Sequence, residues 1–185
     1  RIVDSAAMAR DLGDVRILNG WESKHYAMTH TELDRVFYLD ADAYAIVDPA
    51  PLMDRARGKF AFWTDLPWND RTVKWPNVWP AGSGGVPAIQ GGQLLIDRAA
   101  CWKQIVLSHW MNQHSDFYYK HVYGDQDTWR VAFAAIPGPL LNFGRAAWRH
   151  PAFVCRWGER DWIVHRCRGK LSAPEESPAG SRNVS

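Results

Sequence analysis

The chain has 185 residues, 46% hydrophobic and 23% charged, which suits one soluble globular domain with room for a real core. A net charge of +2 argues against nucleic acid or an acidic membrane as partner, and no apolar run approaches the roughly 18–20 residues of a membrane span. Three cysteines with no Cys-x-x-Cys pair exclude a disulfide framework and a cysteine zinc site, leaving one Cys155–Cys167 bridge open.

In chain order, residues 4–12 read as a short helix and 15–18 as a short strand. Residues 22–31 have a helical pattern, and 35–39 form an apolar, β-rich run ending in Asp40. Asp48-Pro49-Ala50-Pro51 is a turn opening a short helix, and residues 60–63 form a second buried strand. Residues 66–89, rich in Pro, Gly and Trp, read as a long functional loop. A third strand follows at 93–97. A helix at 99–113 is expected to share one face among Trp102, Ile105, Val106 and Trp110. A helix at 125–135 and short strands at 153–156 and 162–165 complete the body, and residues 172–185 have a disordered composition. Strands alternating with helices indicate an α/β layer fold, in which ligands gather at the carboxyl ends of strands.

Four segments carry chemistry. Asp40-Ala41-Asp42 places two carboxylates at the end of a buried strand, an arrangement that is costly without a compensating cation or donors. Magnesium and similar hard cations take such oxygens; a turn or helix cap explains the pair equally well on its own. Gly124-Asp125-Gln126-Asp127 opens a helix, where acidic residues also serve as simple caps. Gln90-Gly91-Gly92 offers close backbone approach to a ligand, or an ordinary turn. His165-Arg166-Cys167-Arg168-Gly169-Lys170 offers one metal-type ligand and cations for a phosphate. The remaining six histidines read as surface or satisfied core residues. Eleven tryptophans supply flat apolar faces suited to sugars, although packing accounts for most of them.

Taken together, these segments resemble retaining glycosyltransferases of the GT-A fold. Phe37-Tyr38-Leu39-Asp40-Ala41-Asp42, Phe62-Trp63-Thr64-Asp65, Gly92-Gln93-Leu94-Leu95-Ile96-Asp97 and Gly124-Asp125-Gln126-Asp127-Thr128-Trp129-Arg130 resemble, in order, motifs of the Golgi α-1,3-mannosyltransferase family. Lys24, sixteen residues before Asp40, is similar to the lysine of glycogenin-type glucosyltransferases. The resemblance covers roughly residues 20–170. It implies a GT-A-like, Rossmann-related mixed sheet, mostly parallel and flanked by helices, as a single domain over residues 1–171.

The resemblance also implies that Asp40, Asp42 and His165 hold Mn²⁺ or Mg²⁺. Lys24 and Lys170 would meet the donor phosphates, and Asp65, Gln90, Gly91 and Gly92 would line the donor sugar. Asp125, Gln126 and Asp127 would form the catalytic group near the anomeric carbon. The His-x-x-Gly-x-x-Lys spacing of the family is not kept at Lys170. GT-A domains open with a strand and helix that bind the base, and only 39 residues precede Asp40, so part of that base site is expected to be missing. The implied partners are a nucleotide-sugar donor, GDP-mannose or a UDP-hexose, and a glycan or other hydroxyl acceptor. With no leader or anchor visible, the expected compartment is the cytoplasm, or the Golgi lumen if an anchor precedes Arg1. Two rivals fit fewer segments. One is a haloacid-dehalogenase-type phosphatase using Asp40, Asp42, Thr64 and Asp125; the other is a non-catalytic sugar- or nucleotide-binding relative.

Overall fold

The computed structural model describes residue 16 and residues 20–67, 71–150 and 152–166. The helix expected at 4–12, the strand at 15–18, Cys167, Lys170 and the tail at 172–185 lie outside the described residues.

Two four-stranded sheets lie against each other. The first has the order β1 (Arg35–Leu39), β4 (Gln93–Asp97), β3 (Phe60–Thr64), β5 (Leu140–Arg145). The second has the order β2 (Ala43–Ala45), β8 (Arg160–His165), β7 (Ala152–Trp157), β6 (Ala147–Arg149). Helices α1 (Glu22–His30), α4 (Arg98–Gln113) and α6 (Gly124–Ala135) pack on the far side of the first sheet. Shorter helices are α2 (Ala50–Arg55), α3 (Trp75–Val78) and α5 (Ser115–Tyr118).

The layering follows from strand parity, since successive side chains point to opposite faces. Val36, Phe60, Phe62, Leu94 and Ile96 pack against Met28, Ile105, Trp129 and Phe133 of the helices. The intervening Ala61, Trp63 and Leu95 pack against Phe153, Cys155, Trp162 and Ile163 of the second sheet. The central strands β3 and β4 are therefore buried on both faces, which is why they read as nearly unbroken apolar runs.

The fold is a mixed α/β arrangement, with a correction to the expected sheet. Among the described strands only β3 and β5 pair in parallel; β4 runs antiparallel to both β1 and β3, and every pair in the second sheet is antiparallel. Continuous apolar strands usually signal a parallel sheet with helices on both faces. Here the second sheet, with α2, supplies the second cover instead of helices.

The expected face of α4 also divides. Ile105 is fully buried together with Cys101, Ser108, Met111 and Asn112, whereas Trp102, Val106 and Trp110 are exposed. Ser108 and Asn112 face inward because their polar atoms meet Thr128 Oγ1 of α6, at 2.8 Å each. The same hydroxyl lies 3.1 Å from His25 Nε2 and donates to Asp125 O at 2.6 Å. This buried polar network ties α1, α4 and the first turn of α6 together. Arg98 closes the other end of α1, donating to Met28 O, Thr29 O and Leu33 O. These contacts set the position of Lys24, in the first turn of α1. Among the described residues no helix is long and apolar enough to cross a membrane.

Candidate metal and ligand site

The Asp40–Asp42 segment is where the chain leaves the first sheet and enters the second. Asp40 N–H donates to Gly92 O at 2.8 Å, and Ala43 pairs with His165 in the β2–β8 register. Arg166 N–H donates to Asp42 O at 2.8 Å. The end of β8 is thereby fastened beside residues more than a hundred positions earlier. One ligand atom from each of Asp40, Asp42 and His165 falls within 4.8 Å of the others. His165 Nε2 lies 3.1 Å from Asp42 Oδ1 and 3.8 Å from Asp40 Oδ2. Two carboxylates and an imidazole suit a divalent cation of the Mn²⁺ or Mg²⁺ kind. The triad lines an open cavity of about 690 Å³, together with Lys24, Gln90, Gly91, Gly92, Asp125 and Gln126.

Lys24 sits between two carboxylates: its Nζ is 2.7 Å from Asp125 Oδ2 and 3.2 Å from Asp40 Oδ1, and it donates to Gly91 O at 3.1 Å. Burial works against its charge, but the attraction of Asp125 and Asp40 more than offsets this, and its pKa is raised. Burial pushes the Asp125 carboxyl up, with Lys24 opposing the shift. Tyr38 donates its hydroxyl to Asp40 Oδ1. Burial and then the Asp40 charge hold the phenol well above its ordinary value, so it stays a donor. Tyr38 was missed in the sequence, though the signal was there: positions 38 and 40 of an extended strand share a face.

The two glycines play a part that the sequence did not suggest. A Cβ on Gly92 would lie 2.2 Å from His165 Cε1 and 3.1 Å from Asp40 Oδ2. One on Gly91 would lie 2.8 Å from Gln126 Cβ. Much of the space these glycines leave is therefore taken by the site's own side chains.

Gln90 orients His165. Gly92 N–H donates to Gln90 Oε1 at 2.7 Å, which turns the amide nitrogen toward His165 Nδ1 at 3.2 Å. In this arrangement Nδ1 accepts, and the ring proton sits on Nε2, pointing at Asp42. A metal on Nε2 needs the opposite tautomer, with Nδ1 donating to an acceptor. Gln90→Glu keeps the bond from Gly92 and presents that acceptor. It is expected to lower the Mn²⁺ Kd about tenfold, in line with the usual weight of outer-shell partners. Calorimetric titration of Mn²⁺ measures this, and an unchanged or weaker Kd would count against His165 Nε2 as a ligand.

Two expected site residues sit behind the cavity wall. Asp65 is buried and accepts from Gln126 Nε2 at 3.2 Å and from Leu66 N–H at 2.8 Å, so it holds Gln126 in place. Asp127 is fully buried and accepts from Thr72 Oγ1 at 2.6 Å and Tyr123 N–H at 2.8 Å. It fastens the 66–89 segment to the start of α6. Burial, opposed by those two bonds, raises its carboxyl to about 6. Lys170 lies outside the described residues. Arg166, one of the cations that the sequence offers to a phosphate, lines the cavity.

Compared with known protein families, with curated proteins and with solved structures, the chain finds no match.

Proposed function

We propose that this chain is a metal-dependent glycosyltransferase of GT-A-like fold. It would move a hexosyl group from a nucleotide-diphosphate sugar, GDP-mannose or a UDP-hexose, to a hydroxyl acceptor, with retention at the anomeric carbon. The observation that carries this reading is the Asp40–Asp42–His165 triad on the wall of an open cavity, with Lys24, Asp125 and the Gly91–Gly92 turn packed around it. Asp40, Asp42 and His165 would hold Mn²⁺ or Mg²⁺, which supplies Lewis-acid stabilisation to a departing diphosphate.

The chain's own residues do the rest. Lys24 lies between the carboxyls of Asp40 and Asp125 and offsets their mutual repulsion. Asp125 presents a carboxylate to the cavity, where it can stabilise positive charge at a sugar carbon or orient hydroxyls. Gln126, held by Asp65, offers its remaining amide atoms to sugar hydroxyls, and Gln90 sets the orientation of His165. Asp127 positions the helix start rather than touching substrate.

The phosphatase reading needs Thr64 beside Asp40, but Thr64 Oγ1 accepts from Asn142 Nδ2 at 2.7 Å and is not among the residues lining the cavity.

The test is direct. The protein is incubated with Mn²⁺, a hydroxyl acceptor and GDP-mannose, UDP-glucose or UDP-galactose in turn, and released nucleoside diphosphate is measured. Release from at least one donor, abolished by EDTA and restored by Mn²⁺, is the expected result. No metal-dependent release from any donor would remove the glycosyl-transfer reading and leave a binding protein.

A further inference from the structure

We propose that Arg166 receives the anionic end of the cavity's ligand, a phosphate or diphosphate group, in place of Lys24. The choice of a phosphorylated ligand rests on the nucleotide-sugar reading above; the availability of Arg166 rests on the structure alone.

An ammonium has three N–H donors. Lys24 donates one to Gly91 O at 3.1 Å, and its ammonium lies 2.7 Å from Asp125 Oδ2 and 3.2 Å from Asp40 Oδ1. Two carboxylates already balance its charge. Any ligand anion drawn to Lys24 would also meet those carboxylates. His165 spends its ring nitrogens on Gln90 and Asp42. The remaining basic side chain on the cavity wall is Arg166. Among the described residues its guanidinium makes no ion pair or hydrogen bond, while its own backbone N–H is fixed to Asp42 O at 2.8 Å. The backbone anchor sets the Arg166 Cα beside the triad and leaves the five-donor fork unspent. A planar guanidinium matches two phosphate oxygens at once, which an ammonium cannot do.

The charges on the wall point the same way. Asp40, Asp42 and Asp125 face Lys24 and Arg166, so without a cation in the triad the cavity repels an anion. With Arg166 removed, an anion would depend on the metal alone.

The experiment titrates pyrophosphate, GDP, UDP and mannose into the wild-type protein, Arg166→Gln and Arg166→Lys, all in saturating Mn²⁺, by calorimetry. Each diphosphate that binds the wild type is expected to bind Arg166→Gln about tenfold or more weakly, as for the loss of a charge-assisted pair. Arg166→Lys falls between the two, because it keeps the charge and loses the fork. The Mn²⁺ affinity and the melting temperature of Arg166→Gln stay near wild type, since the Arg166 side chain has no partner to lose among the described residues. If GDP or UDP loses affinity in Arg166→Gln while pyrophosphate does not, Arg166 meets the nucleoside rather than the phosphates and the proposal falls. Equal diphosphate binding in wild type and Arg166→Gln overturns the assignment of Arg166 and leaves the glycosyltransferase reading standing. A wild type that binds Mn²⁺ but no diphosphate overturns both.

Discussion

Lys24→Met is expected to destabilise the protein by about 3–5 kcal/mol at pH 8, the usual result of removing one partner from a buried ion pair. Lys24 and Asp125 expose only 10% and 12% of their side chains, so solvent screening does little to soften the loss. Methionine nearly matches the lysine stem in length, so packing is largely kept and the effect is electrostatic. Two carboxylates, Asp125 and Asp40, would face each other without a cation. For a domain of this size the melting temperature should fall by roughly 10 °C.

The pH dependence identifies the cause. In the variant Asp125 has lost the cation that opposed its upward shift, so its folded pKa stands further above the unfolded value of 3.8. A raised carboxyl binds a proton in the folded state that the unfolded state has released. The penalty is therefore small near pH 4 and grows as pH rises. Asp125→Asn in the same background should recover much of the loss. Thermal melts of the wild type, the single variant and the double variant between pH 5 and 8 check all of this. A loss that does not change with pH would mean that Lys24 acts through packing.

The second large effect is on metal binding. Asp42→Ala is expected to weaken Mn²⁺ binding by about 100-fold or more, since the loss of even an outer-shell partner costs about 10–100-fold. Without metal its melting temperature should stay at or slightly above wild type, because one of two neighbouring carboxylates is gone. Asp40→Ala should lose metal binding as well, and unlike Asp42→Ala it should also lose stability. It strands Tyr38 and removes one of the two carboxylates held by Lys24. Parallel Mn²⁺ titrations and melts distinguish the two aspartates. Equal stability in both variants would contradict the role given to Asp40 as a partner of Lys24.

The Asp40–Asp42 pair was legible in the sequence because a β-rich apolar run must end where polar side chains can find partners, and both residues stand at that end. Strands β3 and β4 of the first sheet were legible because burial on both faces leaves a nearly unbroken apolar pattern. Strand direction was not, since an apolar run reads alike whichever way its neighbour runs. Strands β5 and β6 were missed because Leu140–Arg145 and Ala147–Arg149 are mostly half-exposed and contain polar residues and a glycine. On α4, the tryptophans at 102 and 110 drew the expected core face toward themselves. The true face holds Ser108 and Asn112, whose polarity makes sense only once Thr128 is opposite them.

Which residues line the cavity was thus largely legible in the sequence, through residue type and position at strand and helix ends. What each one touches is decided by long-range contact. His165 joins Asp40 and Asp42 because β8 pairs with β2. Asp127 turns to Thr72 while Asp125, two positions earlier on the same helix, turns to Lys24. Lys24 was expected to meet a ligand's phosphates, yet its ammonium lies between Asp40 and Asp125 and donates to Gly91 O within the protein. A charge is visible in a sequence; whether it is already paired is decided only when the chain is folded.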